Sequence, residues 1–175
     1  LAGASNASSA SAERFAAATE ALAQADAALQ EGNADGAQTN AGLSAEHATA
    51  TLELIESIRA QAMAAMEQTE TSKSAASLAG AASDPKFETA ASAASAASDD
   101  YEGGNLESAA QGWTAAQSGF NELFETLRTA AVTARRDSNS AKEAGNPQHP
   151  SFILGNGLQK RADAAFDGNV FGEAA

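Results

Sequence analysis

The chain contains no cysteine and only three prolines, one tryptophan and one tyrosine among its 175 residues. Without cysteine, disulfide bonds, thiolate metal ligands and thiol catalysis are excluded. Aromatic residues make up only 5% of the chain, so its apolar content of 43% is largely alanine. Alanine is the strongest helix former but buries little surface per residue. These shortages predict an all-α protein whose helices approach closely to build a core.

Basic residues are also scarce, with 10 Lys and Arg against 23 Asp and Glu and a net charge of −13. Binding to a nucleic-acid backbone needs clustered Lys and Arg, so no nucleic-acid partner is expected. The acid excess favours solubility, and together with the scarcity of lysine it also suits a salt-rich habitat. No stretch approaches the ~18 continuous apolar residues of a membrane span, so none is expected in this segment.

The chain repeats itself at a long interval. In each copy a phenylalanine begins a stretch that ends in a Gly-Asn pair. The first two copies are offset by 72 residues, and the third is slightly shortened. A long internal period is typical of arrayed architectures. The phenylalanines and their Gly-Asn pairs are Phe15 with Gly32-Asn33, Phe87 with Gly104-Asn105, and Phe152 with Gly168-Asn169.

Apolar and small residues in each copy are spaced alternately three and four apart, which predicts amphipathic helices. One stripe precedes each Gly-Asn pair, and a longer stripe follows it. The first-helix stripes are Phe15, Ala18, Leu22, Ala25 and Leu29, then Phe87, Ala90, Ala94, Ala97 and Tyr101. The second-helix stripes are Ala41, Ser44, Ala48, Thr51, Ile55, Ile58, Ala62 and Ala65, then Trp113, Ala116, Phe120, Leu123, Leu127, Ala130 and Ala134.

Each copy is therefore predicted to be an antiparallel helical hairpin, with a short helix of about 17–20 residues, a Gly-Asn turn and a long helix of about 35–40 residues. Glycine ends the short helix because it takes the left-handed conformation without steric cost. Asp84-Pro85 predicts a helix start, with Asp as N-cap and Pro in the first helical position. Segments 67–83 and 136–150 are predicted to be weakening helix followed by connections.

Two arrangements of these hairpins are open: a staggered array, which the unequal helix lengths favour, and a compact four- or five-helix bundle. The predicted organisation is a flexible leader at 1–12, hairpin repeats at 13–82 and 83–147, and an incomplete repeat at 148–175. The third turn, Asp167-Gly168-Asn169, is expected to be one residue shorter than the second. Because the third copy stops early, we expect a fragment or an array that continues.

The start of the chain suggests export. Leu1-Ala2-Gly3 resembles the end of a lipoprotein signal without its cysteine, and Asn6-Ala7-Ser8 is a glycosylation sequon. An extracellular, cell-surface or periplasmic location is therefore expected, with a lipid anchor in the full-length protein as one form of it.

The second turn and its flanks resemble the middle of a tetratricopeptide repeat. That family places an aromatic residue, Gly-Asp, Ala, an aromatic residue and Ala at these spacings. The resemblance covers about 16 residues and implies a glycine-turn helical hairpin. The 72-residue offset and the long second helix depart from the family's pattern. The matching residues are Tyr101, Gly104, Asn105, Ala109, Trp113 and Ala116.

A second likeness is to alanine-rich extracytoplasmic helical domains found beside iron permeases and halocyanins. Such domains share an acidic, alanine-rich hairpin with a Phe- and Glu-rich second helix. No site residue is carried over from this likeness. The residues that give it are Glu46-His47, Glu53 and Glu56 in copy one, and Phe120, Phe124 and Glu125 in copy two.

Few residues are suited to site chemistry. His47 with Glu53, seven residues later, is the candidate metal pair, although the His-x-x-Glu spacing of helical metal sites is absent. His149 precedes Pro150, and helix capping is its simpler interpretation. The chain lacks a nucleophile elbow and a phosphate-binding glycine loop with lysine, so we expect no catalytic residue, no cofactor and no enzyme.

Three functions are consistent with the sequence. The first is a non-catalytic structural or protein-interaction helical module of an exported protein, acting through a protein partner or through self-association. The second is an extracytoplasmic ligand- or metal-binding helical domain. The third is a sensory or signalling bundle with long helices.

Overall fold

The computed structural model describes residues 7–174, and for Glu173 and Ala174 it describes the backbone alone. Throughout this range the regular elements are helices, with no strand, which confirms the all-α prediction. No helix within the described range is long and apolar enough to cross a membrane. The signal-like Leu1-Ala2-Gly3 and the sequon's Asn6 lie outside the described residues.

Five long helices follow one another along the chain. The second, with 45 residues, is longer than predicted, because the segment expected to weaken after residue 67 stays helical to Leu78. The fourth has 39 residues and ends at Ala144, so the segment 136–150 is helix followed by a connection, as predicted. The elements are α1 Ser9–Gln30, α2 Ala34–Leu78, a 3-10 turn Ala81–Ser83, α3 Pro85–Glu102, α4 Leu106–Ala144, α5 Pro150–Asp167 and the short α6 Phe171–Ala174.

Helix α1 begins earlier than the sequence predicts. Ser8 is its N-cap, and the Ser8 hydroxyl accepts a hydrogen bond from the backbone N–H of Ser11 at 3.1 Å. The Ser11 hydroxyl in turn accepts from the N–H of Ser8 at 3.0 Å. This reciprocal pair is a capping box built from two serines. Residues 9–12, predicted to be flexible leader, are therefore helical.

The two later short helices begin at proline, which the sequence predicted for α3. A carboxylate oxygen of Asp84 accepts from the N–H of Lys86 at 2.8 Å, ahead of α3. His149 Nδ1 accepts from the N–H of Ser151 at 3.2 Å, ahead of α5. The Asp84-Pro85 start and the capping interpretation of His149 are both confirmed.

Three equivalent turns end the short helices. In each, one residue takes a left-handed conformation, namely Gly32 (φ 74°), Gly104 (φ 83°) and Asn169 (φ 60°). The following N–H donates to a carbonyl five residues back, as in a Schellman motif. These bonds join Asn33 to Ala28, Asn105 to Asp100, and Val170 to Ala165, at 2.9, 2.8 and 2.9 Å.

The third turn is not shorter, which corrects the prediction. Asn169 lies seventeen residues after Phe152, as Gly104 does after Phe87. It therefore occupies the left-handed position, and Gly168 keeps a negative φ of −83°. Asparagine tolerates this conformation better than most residues because its short polar side chain can bond locally.

The described residues form two compact units. Unit 1 comprises the described part of Leu1–Met66 together with Ser95–Trp113, and unit 2 comprises Glu67–Ala94 and the described part of Thr114–Ala175. The unit boundaries fall inside α2, α3 and α4. They therefore differ from the predicted hairpin boundaries.

Unit 1 packs α1 against α2 through small residues. The hydroxyl of Ser44 on α2 donates to the backbone carbonyl of Ala18 on α1 at 2.8 Å, so the two helices approach closely. The buried face of α1 consists of alanine and serine, although the sequence predicted that leucine would be buried there as well. It consists of Ser11, Ala18, Ala21, Ala25 and Ala28.

Leu22 and Leu29 are 53% and 63% exposed, which corrects the first-helix stripe of copy one. The distance between two packed helices depends on the side chains at their contact. A leucine on the line of Ala18 and Ala25 would hold the helices further apart than the bond from Ser44 permits. The alanine stripe is therefore buried and the leucines lie at its margin.

The α3–α4 turn in unit 1 is closed by aromatic packing. The ring centroids of Tyr101 and Trp113 are 5.6 Å apart, and Trp113 is buried. A Cβ added to Gly112 would lie 2.9 Å from the Cβ of Ala97, so glycine is required for this approach.

In unit 2 the α3–α4 contact continues with Phe87 against Phe120, whose ring centroids are 5.0 Å apart. The unit also contains a small apolar core formed by Ala79, Ala131 and Phe171. Ala131 is buried and Ala130 is exposed, which corrects the end of the predicted α4 stripe.

Candidate functional site

The candidate metal residues do not assemble a site. His47 is half-buried on α2, and its backbone carbonyl accepts from the Thr51 hydroxyl at 2.7 Å. Glu53 is exposed. Among residues 7–174, no group of three or more His, Asp or Glu lies close enough together to hold a metal ion. The geometry gives no reason to place a metal at His47 and Glu53.

The acidic pair on α4 participates in surface ion pairs. Glu122 lies 3.1 Å from Lys86 Nζ, and Glu125 lies 3.3 Å from Arg128. All four side chains are more than half exposed, and such pairs contribute about 0–1 kcal/mol. These carboxylates have the ordinary surroundings of a solvated helix face.

A groove opens in unit 2 between the second half of α4 and α5. It encloses a cavity of about 310 Å³. Its walls are mostly small or apolar, with a few polar groups at the edge, which is the usual composition of a binding cleft. The lining residues are Ala131, Ala134, Arg135, Ser138, Gly155, Leu158, Gln159, Ala162, Asp163 and Phe166.

Arg135 contacts two residues of α5 at one end of the α4–α5 groove. Its Nε lies 2.9 Å from a carboxylate oxygen of Asp163, and its guanidinium carbon lies 5.2 Å from the centroid of the Phe166 ring. A cation over an aromatic face contributes about 0.5–1 kcal/mol at an exposed site. Arg135 therefore fastens α5 to α4 at Asp163 and Phe166, while the groove beside them stays open.

Away from Asp163 and Phe166, helix α5 makes few contacts, one of which is a hydrogen bond from Gln159 Nε2 to Asn139 Oδ1. None of its residues is buried. It contains Gly155 and Gly157, each of which costs about 1 kcal/mol relative to alanine inside a helix. The equivalent of Gly155 in α3 is Ala90, whose Cβ lies 3.1 Å from a Cβ built on Gly119. At Gly155 nothing lies within 4 Å of such a Cβ, so the groove is not filled there.

Exposed apolar and basic side chains follow one another along α5, and one of them, Leu158, lies at the edge of the α4–α5 groove. Ile153, Leu154 and Leu158 each leave more than half of their surface exposed. Lys160 and Arg161 follow them on the same helix and are also exposed. We call these five residues the α5 surface. In α3 the positions equivalent to Ile153 and Leu154 are the exposed Glu88 and Thr89, so this surface is specific to the third copy.

The basic residues of the chain are concentrated around this site. Residues 128–161 contain six basic residues against two acidic ones, Asp137 and Glu143. Residues 1–127 contain four basic residues against eighteen acidic ones. The net charge of the whole chain does not show this uneven distribution of basic and acidic residues. It becomes visible when the charged residues are counted along the sequence. The six basic residues are Arg128, Arg135, Arg136, Lys142, Lys160 and Arg161.

Comparison with protein-family models, with curated proteins and with solved structures finds no match for this chain. A proposal for its function therefore rests on the residues of the α4–α5 groove and the α5 surface.

Proposed function

We propose that the chain is a non-catalytic protein-interaction module and that it binds its partner through the α5 surface. The observation that carries this proposal is the exposure of Ile153, Leu154 and Leu158 on a helix that buries no residue of its own. Clustered apolar side chains at a polar rim are typical of protein interaction sites. Lys160 and Arg161 supply such a rim.

The energetics favour a helical partner. Fully burying a leucine or isoleucine side chain contributes about 1.5–3 kcal/mol. Leu154 and Leu158 are spaced i, i+4 on consecutive turns, which is an anchor spacing by which helices recognise one another, and Ile153 lies beside them. A partner helix would also cover Gly157, where an added Cβ meets nothing within 4 Å. Close approach of two backbones is therefore possible on this face.

Site-specific photocrosslinking tests the interaction. A photoreactive amino acid in place of Leu154 is expected to give a discrete crosslinked adduct in cells that naturally make the protein. The matched control places the same amino acid at Leu78, which is also more than half exposed but lies outside the α5 surface. If position 154 yields no adduct beyond the Leu78 background, the α5 surface is not an interaction site.

We also propose the staggered hairpin array as the arrangement of the helices. Its support is the recurrence of one turn geometry at Gly32, Gly104 and Asn169 after short helices of similar length. Small-angle X-ray scattering distinguishes the two arrangements. We expect a radius of gyration well above the ~16 Å of a compact globule of this length, and a value near that figure would favour the bundle instead.

An exported or cell-surface location completes the proposal. It is supported by the lipoprotein-like Leu1-Ala2-Gly3. The full gene tests it: an export signal is expected in the full-length protein, and a gene that encodes no export signal would contradict the proposal.

A further inference from the structure

Unit 1 carries a second exposed apolar line, on α1. Leu22 and Leu29 are largely exposed, and the half-buried Phe15 lies seven residues before Leu22. A seven-residue spacing places side chains along one helix face. The exposed Asp26 lies on the same face, between the two leucines. We call Phe15, Leu22, Asp26 and Leu29 the α1 surface.

The α5 surface has the same kind of pattern with the opposite charge. Leu154, Leu158 and Arg161 are spaced four and three apart, so they also follow one face of their helix. Each surface thus offers two exposed aliphatic side chains and one charge along a helical line. The charge is the basic Arg161 on α5 and the acidic Asp26 on α1.

The residues around each surface carry an excess of the same sign of charge as the surface itself. Unit 1 contains only two basic residues, Arg14 and Arg59, against twelve acidic residues. The segment 128–167, which includes all of α5, contains six basic residues against four acidic ones. Charge complementarity of this kind steers association and sets its register.

We propose that the α5 surface of one copy of this chain binds the α1 surface of a second copy. This inference rests on the proposed interaction function and names the partner. Leu154 and Leu158 pack along the line of Phe15, Leu22 and Leu29, and Arg161 pairs with Asp26. Because the two surfaces are different, the contact is heterologous, and two copies joined by one such contact keep one free α1 surface and one free α5 surface.

The association is weak and depends on how far salt screens the repulsion between the two copies. A single pair of helices buries less area than the ~1,600 Å² of a standard stable interface, so the complex is transient. Two copies of net charge −13 repel one another at long range. At about 0.15 M salt the screening length is about 8 Å, so this repulsion fades while the contacting Arg161 and Asp26 still attract.

Sedimentation velocity at that salt concentration, from micromolar to millimolar protein, tests the proposal with two double variants. One removes the α1 surface (Leu22→Ser with Leu29→Ser), and the other removes the apolar contact of the α5 surface (Leu154→Ser with Leu158→Ser). Wild type is expected to form dimers and larger species as concentration rises. Each variant alone should stay monomeric, with association weakened at least about tenfold.

A mixture of the two variants distinguishes this pairing from others. One variant retains the α5 surface and the other retains the α1 surface, so the mixture should form a 1:1 dimer that grows no further. Leu78→Ser is the matched control and should associate as wild type does. Circular dichroism of each variant verifies that these exposed substitutions leave the helices intact.

Three results would overturn the inference: wild type that stays monomeric, an α1 variant that associates as strongly as wild type, or a mixture that stays monomeric. The photocrosslink at position 154 separates these failures from failure of the interaction function itself. An adduct with a different protein removes the second copy as partner but keeps the interaction function. The absence of any adduct removes both.

Discussion

Replacing Phe120 with alanine should lower the free energy of unfolding by about 3–5 kcal/mol. The Phe120 side chain is fully buried, and its ring meets Phe87 edge to face at a centroid distance of 5.0 Å. Neighbouring α3–α4 contacts are made by alanine and glycine, which cannot expand into the cavity that the ring would leave. Such a loss is a large part of the ~5–15 kcal/mol that typically stabilises a domain.

Urea unfolding followed by circular dichroism at 222 nm measures this effect. Val132→Ala is the control, because Val132 lies on the same helix but is nearly half exposed. Its unfolding free energy should change by no more than about 0.5 kcal/mol. A Phe120→Ala variant as stable as the Val132→Ala variant would show that the α3–α4 contact does not depend on this ring.

Replacing Phe171 with alanine should release α5 from the rest of unit 2. Phe171 is buried, and its ring centroid lies 5.3 Å from that of Phe124 and 5.4 Å from that of Phe166. Because α5 has no buried residue of its own, it depends on contacts at its edge, among them the packing of Ala165 and Phe166 on the Phe171 core and the Arg135–Asp163 ion pair. Loss of the large ring costs about 3–5 kcal/mol in a packed core.

Hydrogen exchange of the backbone amides measures this release. Protection across Pro150–Asp167 should fall by about tenfold or more, while protection in α1 stays unchanged. Leu154→Ala, an exposed change on α5 itself, should leave the protection of α5 close to that of wild type. Equal loss of protection in α1 and α5 would mean that Phe171 stabilises the whole chain and not this helix in particular.

The backbone of Gly80 explains why α6 can bring Phe171 to its place. Gly80 has a positive φ of 100°, and a Cβ added there would lie 3.1 Å from the Cα of Gly172. The N–H of Gly172 donates to the carbonyl of Ala79 at 2.8 Å. The sequence showed glycine before the connection but did not show that a second glycine, ninety-two residues later, meets it.

Local features of this protein were determined by the sequence itself. The alternating three- and four-residue spacing predicted the helices, and Gly32 and Gly104 marked where short helices end, because glycine takes the left-handed conformation without strain. Asp84-Pro85 marked a helix start for an equally local reason. Each of these signals acts within one or two helical turns, so no tertiary contact is needed to read it.

Only the tertiary structure decided which side chains are buried. On α1, Ala21 and Leu22 are adjacent on the helix, and apolar periodicity favoured the larger residue. The contact of Ser44 with the Ala18 carbonyl brings α2 so close that alanine is buried and Leu22 is left outside. On α4, Ala131 is buried and not the predicted Ala130 for a similar reason, because Phe171 packs in the same core as Ala131. Which face of α5 stays exposed likewise depends on how closely the neighbouring helices pack against it. Residue spacing along one helix carries no information about the distance between helices.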